Sequence, residues 1–218
     1  YSKALRLKSP DVEEPVDMYW HRPVAAAMTA LVLDLPITPN QITWMSLFVG
    51  LAASATYWAT AFGGHLPEFT GYPLAAALLL ISVVLDCMDG QFARAKGGGT
   101  RMGRILDGAV DVFVLLPFYV LMVFDVGERH GPFWFWVCAA GGITSWIQIL
   151  VYDRLKSLYL SFTLEDPTSS DAAEDMDEVM KEWAEIKARK NPVDIFLFGL
   201  YVHGQLKFSA LFAGKEQK

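Results

Sequence analysis

Four long blocks of apolar residues constrain the fold of this chain more than any other feature. They cover residues 42–62, 73–95, 104–124 and 133–152, and the first and last blocks contain no charged side chain. About 20 residues are needed for an α-helix to cross the hydrocarbon of a bilayer, and a helix in lipid can be apolar on all sides. Hydrophobic residues are 53% of the chain and charged residues 19%, which argues against a soluble core. We therefore predict an all-α fold, a polytopic transmembrane helix bundle.

The segments around these blocks divide the rest of the chain. Residues 1–40 predict a polar tail and then an amphipathic helix, which lies in the membrane interface or packs against the spans. Residues 41–152 are the predicted transmembrane catalytic domain. Residues 153–192 are expected to form an acidic cytosolic arm with an amphipathic helix. Residues 193–218 are apolar, and are either a fifth span or an interfacial segment.

Basic residues set the predicted orientation. The loops near residues 63–72 and 125–132 hold one Lys or Arg between them, Arg129, whereas basic residues are frequent in the segments on the opposite side. Cytoplasmic loops carry an excess of Lys and Arg. We therefore expect a multi-pass integral membrane protein, in the cell membrane if it is prokaryotic, with residues 86–111 at the cytoplasmic face. No basic patch with interleaved aromatic residues occurs in the sequence, so no nucleic-acid partner is expected.

Four aspartates lie near the span ends that meet at this face. Asp86 and Asp89 are three residues apart, and Asp107 and Asp111 are four apart, so each pair shares one face of a helix. Clustered carboxylates repel one another and are costly to bury unless some are protonated or bind a cation. Carboxylate ligands suit Mg²⁺, Mn²⁺ or Ca²⁺. Four of them could hold two ions, an arrangement that suits chemistry at phosphorus.

The residues around these aspartates follow a spaced pattern. Residues 86–94 read DCMDGQFAR, and after a short spacer residues 103–111 read GRILDGAVD. The pattern resembles the signature of the CDP-alcohol phosphatidyltransferase superfamily, D-x-x-D-G-x-x-A-R followed by G-x-x-x-D-x-x-x-D, and every fixed position matches. The stretch from Pro39 to Thr43 is similar to the P-N-x-x-T that opens the first span in many members. The resemblance covers about residues 20–155.

The resemblance implies an enzyme of phospholipid biosynthesis, which moves a phosphoalcohol group from a CDP-alcohol lipid donor to an acceptor hydroxyl and releases CMP. It implies that Asp86, Asp89 and Asp107 hold Mg²⁺ or Mn²⁺, as two ions, with Asp111 also in the metal shell. It makes Asp111 the general base as well. The implied nucleotide-binding residues are Asn40, Thr43, Asp86, Asp89, Gly90, Ala93, Arg94, Gly103 and Asp107.

Members of this superfamily usually have six spans, often with a dimer interface formed by the later ones. A homodimer in contact with membrane lipids is therefore expected here too. This sequence departs from the pattern, because only four spans are clear. Either the chain is truncated or its last spans are degenerate, and the signature spans themselves are intact.

Basic residues near the aspartates bear on the acceptor. A small phosphorylated polyol, such as inositol phosphate or glycerol phosphate, would need a basic pocket. The candidate acceptor-binding residues are Arg101, Arg104, Arg154 and Lys156. The positive-inside rule and lipid headgroups explain the same residues equally well. The short chain favours CDP-diacylglycerol as the donor, and the run from Pro36 to Thr43 is similar to prokaryotic members that use inositol phosphates.

Three other functions remain open. The first is an aminoalcohol phosphotransferase that uses CDP-choline or CDP-ethanolamine with diacylglycerol, although such relatives often carry Asp-His-Gly where this chain has Asp107-Gly-Ala. The second is a cation channel or transporter, which would place carboxylates along the membrane depth rather than at one face. The third is a non-catalytic scaffold, against which the intact Asp111 argues.

Overall fold

The structure, a computed structural model, describes residues 16–163, 176–189 and 191–213. All regular structure in these ranges is helical, which confirms the predicted fold class. A π-helical turn, Asp17–His21, leads into the first helix. The helices are α1 (Arg22–Val32), α2 (Pro39–Ala61), α3 (Glu68–Ala95), α4 (Arg101–His130), α5 (Pro132–Thr163), α6 (Met176–Arg189) and α7 (Pro192–Ala213).

Four of these helices are long and apolar enough to cross a membrane, as predicted. They are α2, α3, α4 and the Pro132–Tyr152 part of α5. The connections expected near residues 63–72 and 125–132 are shorter than predicted, because α3 already begins at Glu68 and α4 continues to His130. A helix bonds its own backbone groups, so polar residues at its end do not have to terminate it. In α7 the described apolar stretch, Asp194–His203, is shorter than a span, and a fifth span stays a prediction.

Small and polar residues let α2 approach α3 and α4 closely. A Cβ atom added to Gly50 would lie 2.5 Å from the side chain of Val114 on α4 and 2.9 Å from Ser82 Oγ on α3. The Ser82 hydroxyl donates to the carbonyl of Ser46 on α2 at 2.8 Å. Helices in membranes associate through such small-residue contacts and interhelical hydrogen bonds. These contacts hold the three helices that carry the predicted site against one another.

Helix α1 packs on α3 through small residues. Ala25, Ala26 and Thr29 are buried on this face, whereas Leu31 is 83% exposed. The buried cluster beneath α1 also contains Leu85 and Phe92 of α3 and Ile42 of α2. Packing against the spans, one of the two predicted dispositions, is therefore observed. The exposed apolar face is free to lie in the membrane interface, and that location stays a prediction.

The chain forms two compact units, Tyr1–Gln148 and Ile149–Lys218. In the second unit α6 occupies the position predicted for the amphipathic helix of the arm. Its Trp183 stacks on Phe198 of α7 with ring centroids 5.7 Å apart, and Val179 and Ile186 are buried. The acidic stretch that precedes α6 lies outside the described residues.

Candidate active site

The predicted aspartates lie on the last turns of α3 and the first turns of α4. Asp86, Asp89 and Asp107 form one group, in which one carboxylate oxygen from each residue lies within 4.8 Å of the others. Asp89 is buried, and Asp86 and Asp107 are half-buried. Helical spacing puts both members of a pair on one face, and the packing of α3 beside α4 turns the two faces together. The structure thus brings three of the four predicted ligands into one cluster.

Asp111 lies at the edge of this cluster. It is not part of the group of three, and it is exposed, whereas the others are buried or half-buried. The Asp86 carboxyl nevertheless lies within hydrogen-bond reach of the carboxyl groups of both Asp107 and Asp111. Asp111 is therefore exposed at the surface of the chain while it remains within hydrogen-bond reach of Asp86.

The donor atoms of the cluster fit a hard divalent cation. Carboxylates at this spacing repel one another, and bringing them together requires protons or a cation. The buried Oδ1 of Asp86 has no hydrogen-bond partner in the described part of the chain, and buried polar atoms in proteins are normally satisfied. Oxygen-only ligands select Mg²⁺, Mn²⁺ or Ca²⁺ over metals that prefer thiolate or imidazole. Asp86, Asp89 and Asp107 are thus residues that could hold such an ion.

The first turns of α2 complete the site from a third helix. Thr38 caps α2, Pro39 occupies its first turn, and the Thr43 hydroxyl donates a hydrogen bond to the Asp89 carboxylate. A Cβ atom on Gly103 would lie 3.6 Å from Asn40 Oδ1, so the start of α4 passes close to the start of α2. Asn40 and Gly103, both predicted from the sequence, therefore lie beside each other near the aspartates.

Arg94 and Gly90 lie together on the last turns of α3. A Cβ atom on Gly90 would lie 3.4 Å from Arg94 Nη1, so the guanidinium group extends over the glycine. Ala93 precedes Arg94 on the same turn and is half-buried. A guanidinium group beside clustered carboxylates can bind the phosphate groups of a substrate that a bound cation also holds.

The predicted acceptor residues fall into two sets. Arg101 and Arg104 are in the first turn of α4, where Arg101 is half-buried and Arg104 is exposed. Arg154 and Lys156 belong to the second unit, and their side chains lie outside the described residues. The structure therefore describes the side chains of two of the four predicted acceptor residues, and the acceptor pocket stays a prediction.

A second polar cluster, which the sequence analysis missed, lies at the other end of α2, α3 and α4. Buried Asp125 accepts hydrogen bonds from Tyr57 at 2.8 Å, from Tyr72 at 3.2 Å and from Arg129 Nε at 2.6 Å. The same guanidinium group is 2.9 Å from Glu68. The spacing of Asp125 and Arg129, one helical turn apart, could have indicated the ion pair, but nothing local indicates the two tyrosines. The cluster ties together the ends of the three helices that carry the aspartate site.

Comparison with known proteins relates this chain to one family of enzymes. The model of the CDP-alcohol phosphatidyltransferase family matches residues 36–163, more than half of the chain. A bifunctional IPC transferase and DIPP synthase of Thermococcus kodakarensis is 25% identical over 122 residues, which are 56% of this chain and 25% of that protein. A phosphatidylinositol phosphate synthase of Mycobacteroides abscessus is 29% identical over 140 residues, 64% of this chain and 53% of that protein. No solved structure matches significantly.

A third relative extends the comparison to a shorter region. An archaetidylinositol phosphate synthase of Pyrococcus horikoshii is 32% identical over 78 residues, 36% of this chain and 36% of that protein. The chain thus spans between about a quarter and about half of the length of the relatives described here.

Proposed function

Because the chain belongs to the CDP-alcohol phosphatidyltransferase family, we propose that it transfers a phosphatidyl group from a CDP-alcohol to a hydroxyl group and releases CMP. The observation that carries this proposal is the carboxylate cluster of Asp86, Asp89 and Asp107, whose ligand atoms lie within 4.8 Å of one another. Each of these three aspartates occupies a fixed position of the family signature. The proposed product chemistry is a step of phospholipid synthesis.

The proposed cofactor is Mg²⁺ or Mn²⁺, held by Asp86, Asp89 and Asp107, with Asp111 contributing to a second ion. When bound, such ions neutralise the charge of the donor pyrophosphate and stabilise the leaving group. Thr43 orients the Asp89 carboxylate through its hydrogen bond. The proposed nucleotide-binding residues include Asn40, Gly90, Ala93, Arg94 and Gly103. Because glycine has no side chain, position 90 leaves room for the nucleotide to approach α3 closely.

Asp111 is the proposed general base. It accepts the proton of the acceptor hydroxyl as that oxygen attacks the phosphorus that carries the lipid alcohol. A new oxygen–phosphorus bond forms to the acceptor, the bond from the same phosphorus to CMP breaks, and CMP leaves with the bonding electrons. The exposure of Asp111 beside the buried carboxyls supports this role, because a base must lie within hydrogen-bond reach of the proton that it removes.

The proposed substrates are CDP-diacylglycerol and a small phosphorylated polyol. Two of the relatives are named as synthases of phosphatidylinositol phosphate and archaetidylinositol phosphate, which favours inositol phosphate over glycerol phosphate as the acceptor. Arg101, Arg104, Arg154 and Lys156 are the proposed residues of the acceptor pocket. The site is proposed to open to the cytoplasm, because basic residues are concentrated at the aspartate end of the spans.

We further propose that the protein is a homodimer in the membrane. None of the apolar window of α5 is buried by the residues that the structure describes, which leaves this helix available to contact lipid or a second copy. Mass measurement of the purified protein in detergent, with correction for bound detergent, tests the proposal. A mass equal to a single chain would overturn it.

The test of function is CMP release by the purified protein in Mg²⁺. CDP-diacylglycerol is offered with inositol phosphate, glycerol phosphate, serine or inositol, and parallel reactions contain CDP-choline or CDP-ethanolamine with diacylglycerol. Release with one phosphorylated polyol supports the proposal, and release in the aminoalcohol reactions alone favours the other enzyme class. Ion flux through protein-containing liposomes, with no release in any reaction, would instead favour a channel.

Two perturbations test the proposed chemistry. Asp111→Asn should abolish turnover and leave CDP binding largely intact. Glu128→Gln, an exposed change on the same helix, should affect neither turnover nor CDP binding. Removal of divalent ions by EDTA should stop the reaction, and added Mg²⁺ should restore it. Near-normal turnover by Asp111→Asn would refute the assignment of the base, and activity in metal-free buffer would refute the metal dependence.

A further inference from the structure

Helix α1 is attached at its start to the last turns of α3, and the connection that follows α1 is attached to the residue that follows α3. At its start, the Nε2 of buried Gln91 donates to the carbonyl of Arg22 at 3.1 Å. Beyond its end, the Nζ of Lys96 donates to the carbonyls of Leu35 at 3.2 Å and Ile37 at 3.0 Å. The two attachments lie close in sequence to Asp89, on the helix that carries two of the clustered aspartates.

The ammonium group of Lys96, an exposed residue, makes three contacts. Its ammonium group lies 4.5 Å from the ring centroid of Phe92, which is fully buried, and it bonds the two carbonyls of the connection between α1 and α2. Hydrogen bonds from a charged donor are stronger than neutral ones. Lys96 also directly follows the last residue of α3, where a cation is favourable beside carbonyls that lack helical partners.

The connection held by Lys96 leads directly into the aspartate site. The residue after Ile37 is Thr38, whose hydroxyl accepts from the backbone N–H of Gln41 while its own N–H donates to the Gln41 side chain at 2.9 Å. This capping arrangement fixes where α2 begins. Asn40 lies within this first turn of α2, and Thr43, in the next turn, bonds to Asp89. Lys96 and the carboxylate cluster are therefore linked through the backbone of residues 37–43, which is hydrogen-bonded to Lys96 at one end and to Asp89 at the other.

We propose that Lys96 is a positioning residue that fixes the connection between α1 and α2, and thereby fixes the start of α2 against the aspartates. In this role it determines the affinity of the site for a CDP-linked donor, to which Asn40 and Thr43 are presented. Lys96 is not a fixed position of the family signature. The kinetic part of this inference rests on the proposed function, whereas the structural part does not.

The experiment compares Lys96→Met and Lys96→Arg with wild type. Methionine keeps the stem over Phe92 and removes the donors, whereas arginine can donate to both carbonyls and stack on the ring. Lys181→Met, at an exposed position of α6, is the matched control. Hydrogen–deuterium exchange of the full-length protein in detergent is measured for peptides that cover residues 33–41, with α5 peptides as an internal reference. Donor KM, acceptor KM and kcat are measured in parallel.

We expect faster exchange of the 33–41 peptides in Lys96→Met alone. The same variant should have a donor KM raised by about three- to tenfold, as expected for the loss of about one net hydrogen bond. The kcat and acceptor KM of Lys96→Met should stay within about twofold of wild type. The donor KM of Lys96→Arg should equal that of wild type. If Lys96 only stabilised the fold, Lys96→Met would lower kcat and thermal stability together. It would not raise the donor KM while leaving the acceptor KM unchanged.

Unchanged exchange in Lys96→Met would overturn the inference, as would equal losses in Lys96→Met and Lys96→Arg. A fall in kcat with an unchanged donor KM would also overturn it. If wild type releases no CMP from any CDP-alcohol while Lys96→Met still exchanges faster at residues 33–41, the proposed function fails and the structural attachment stands. The two failures are therefore distinguishable.

Discussion

Substitution of Thr43 by valine tests whether the α2 hydroxyl supports the metal site. Thr43 donates to the buried carboxylate of Asp89, and valine keeps its shape while removing the hydroxyl. A hydrogen bond to a charged group contributes about 1.5–3 kcal/mol, and loss of a partner that orients a metal ligand typically costs 10–100-fold in metal affinity or activity. The Thr43 hydroxyl is also 3.2 Å from the Pro39 carbonyl, so two acceptors compete for its single hydrogen. We therefore expect a loss of metal affinity at the lower end of this range, about tenfold.

Mn²⁺ is the probe for this measurement, because its binding can be followed by electron paramagnetic resonance without turnover. We expect the Mn²⁺ Kd of Thr43→Val to rise by about tenfold, with a matching rise in the Mg²⁺ concentration that half-activates CMP release. Thr43→Ser should bind Mn²⁺ almost as wild type does. Thr56→Val is the control, since the Thr56 hydroxyl bonds within its own helix to the Ala52 carbonyl.

Three results would contradict the expected role of the Thr43 hydroxyl in metal binding. If Thr43→Val binds Mn²⁺ as tightly as wild type, the contact with Asp89 does not support a metal ligand. If Thr56→Val weakens binding as much as Thr43→Val does, the effect arises from a general disturbance of α2. If the wild-type protein binds no Mn²⁺ at all, the proposed metal site is wrong.

Three further predictions concern stability and metal removal. Asp125→Ala should destabilise the protein by about 2–3 kcal/mol, because Tyr57, Tyr72 and Arg129 lose their shared acceptor. Tyr57→Phe removes one of these hydrogen bonds and should cost about 1 kcal/mol in the same thermal unfolding assay in detergent, and equal effects would contradict this ranking. Gly71→Ala should cost about 1–3 kcal/mol, since its Cβ would overlap the side chain of Thr60. A second change, Thr60→Ala, should recover part of the loss. Removal of divalent ions should lower the unfolding temperature, since repulsion within the carboxylate cluster then lacks a counter-charge, and an unchanged temperature would argue against a resident ion.

The spans and the aspartate motif could be predicted because both are local patterns. Uninterrupted apolar blocks specify helices in lipid whatever they pack against. The spacing within each pair, Asp86 with Asp89 and Asp107 with Asp111, puts both side chains on one helix face wherever the helix lies. The sequence therefore predicted four spans and a cluster of acidic residues at one end of them. Helix ends were less accurate, as α4 continues through Asp125 to His130.

The contacts between helices could not be predicted in the same way. A helix that is apolar on all sides has no pattern that shows which face is turned inward, and the buried face of α2 consists mainly of small and hydroxyl-bearing residues such as Thr43, Ser46 and Gly50. Its bonds reach residues far along the chain, since Thr43 bonds Asp89 and Tyr57 bonds Asp125. These pairings depend on how each helix is rotated and offset against its neighbours.

Local sequence patterns alone thus predict four membrane-spanning helices and a group of carboxylates at one end of two of them. The tertiary structure decided which of them share a site. Asp86, Asp89 and Asp107 converge while Asp111 remains exposed at the edge. It also decided that Lys96, an unremarkable cation in the sequence, bonds the connection that leads into α2. The physical reason is that hydrophobicity and helical spacing act along one segment, whereas the position of a side chain relative to another helix follows from packing, which is decided by the whole bundle.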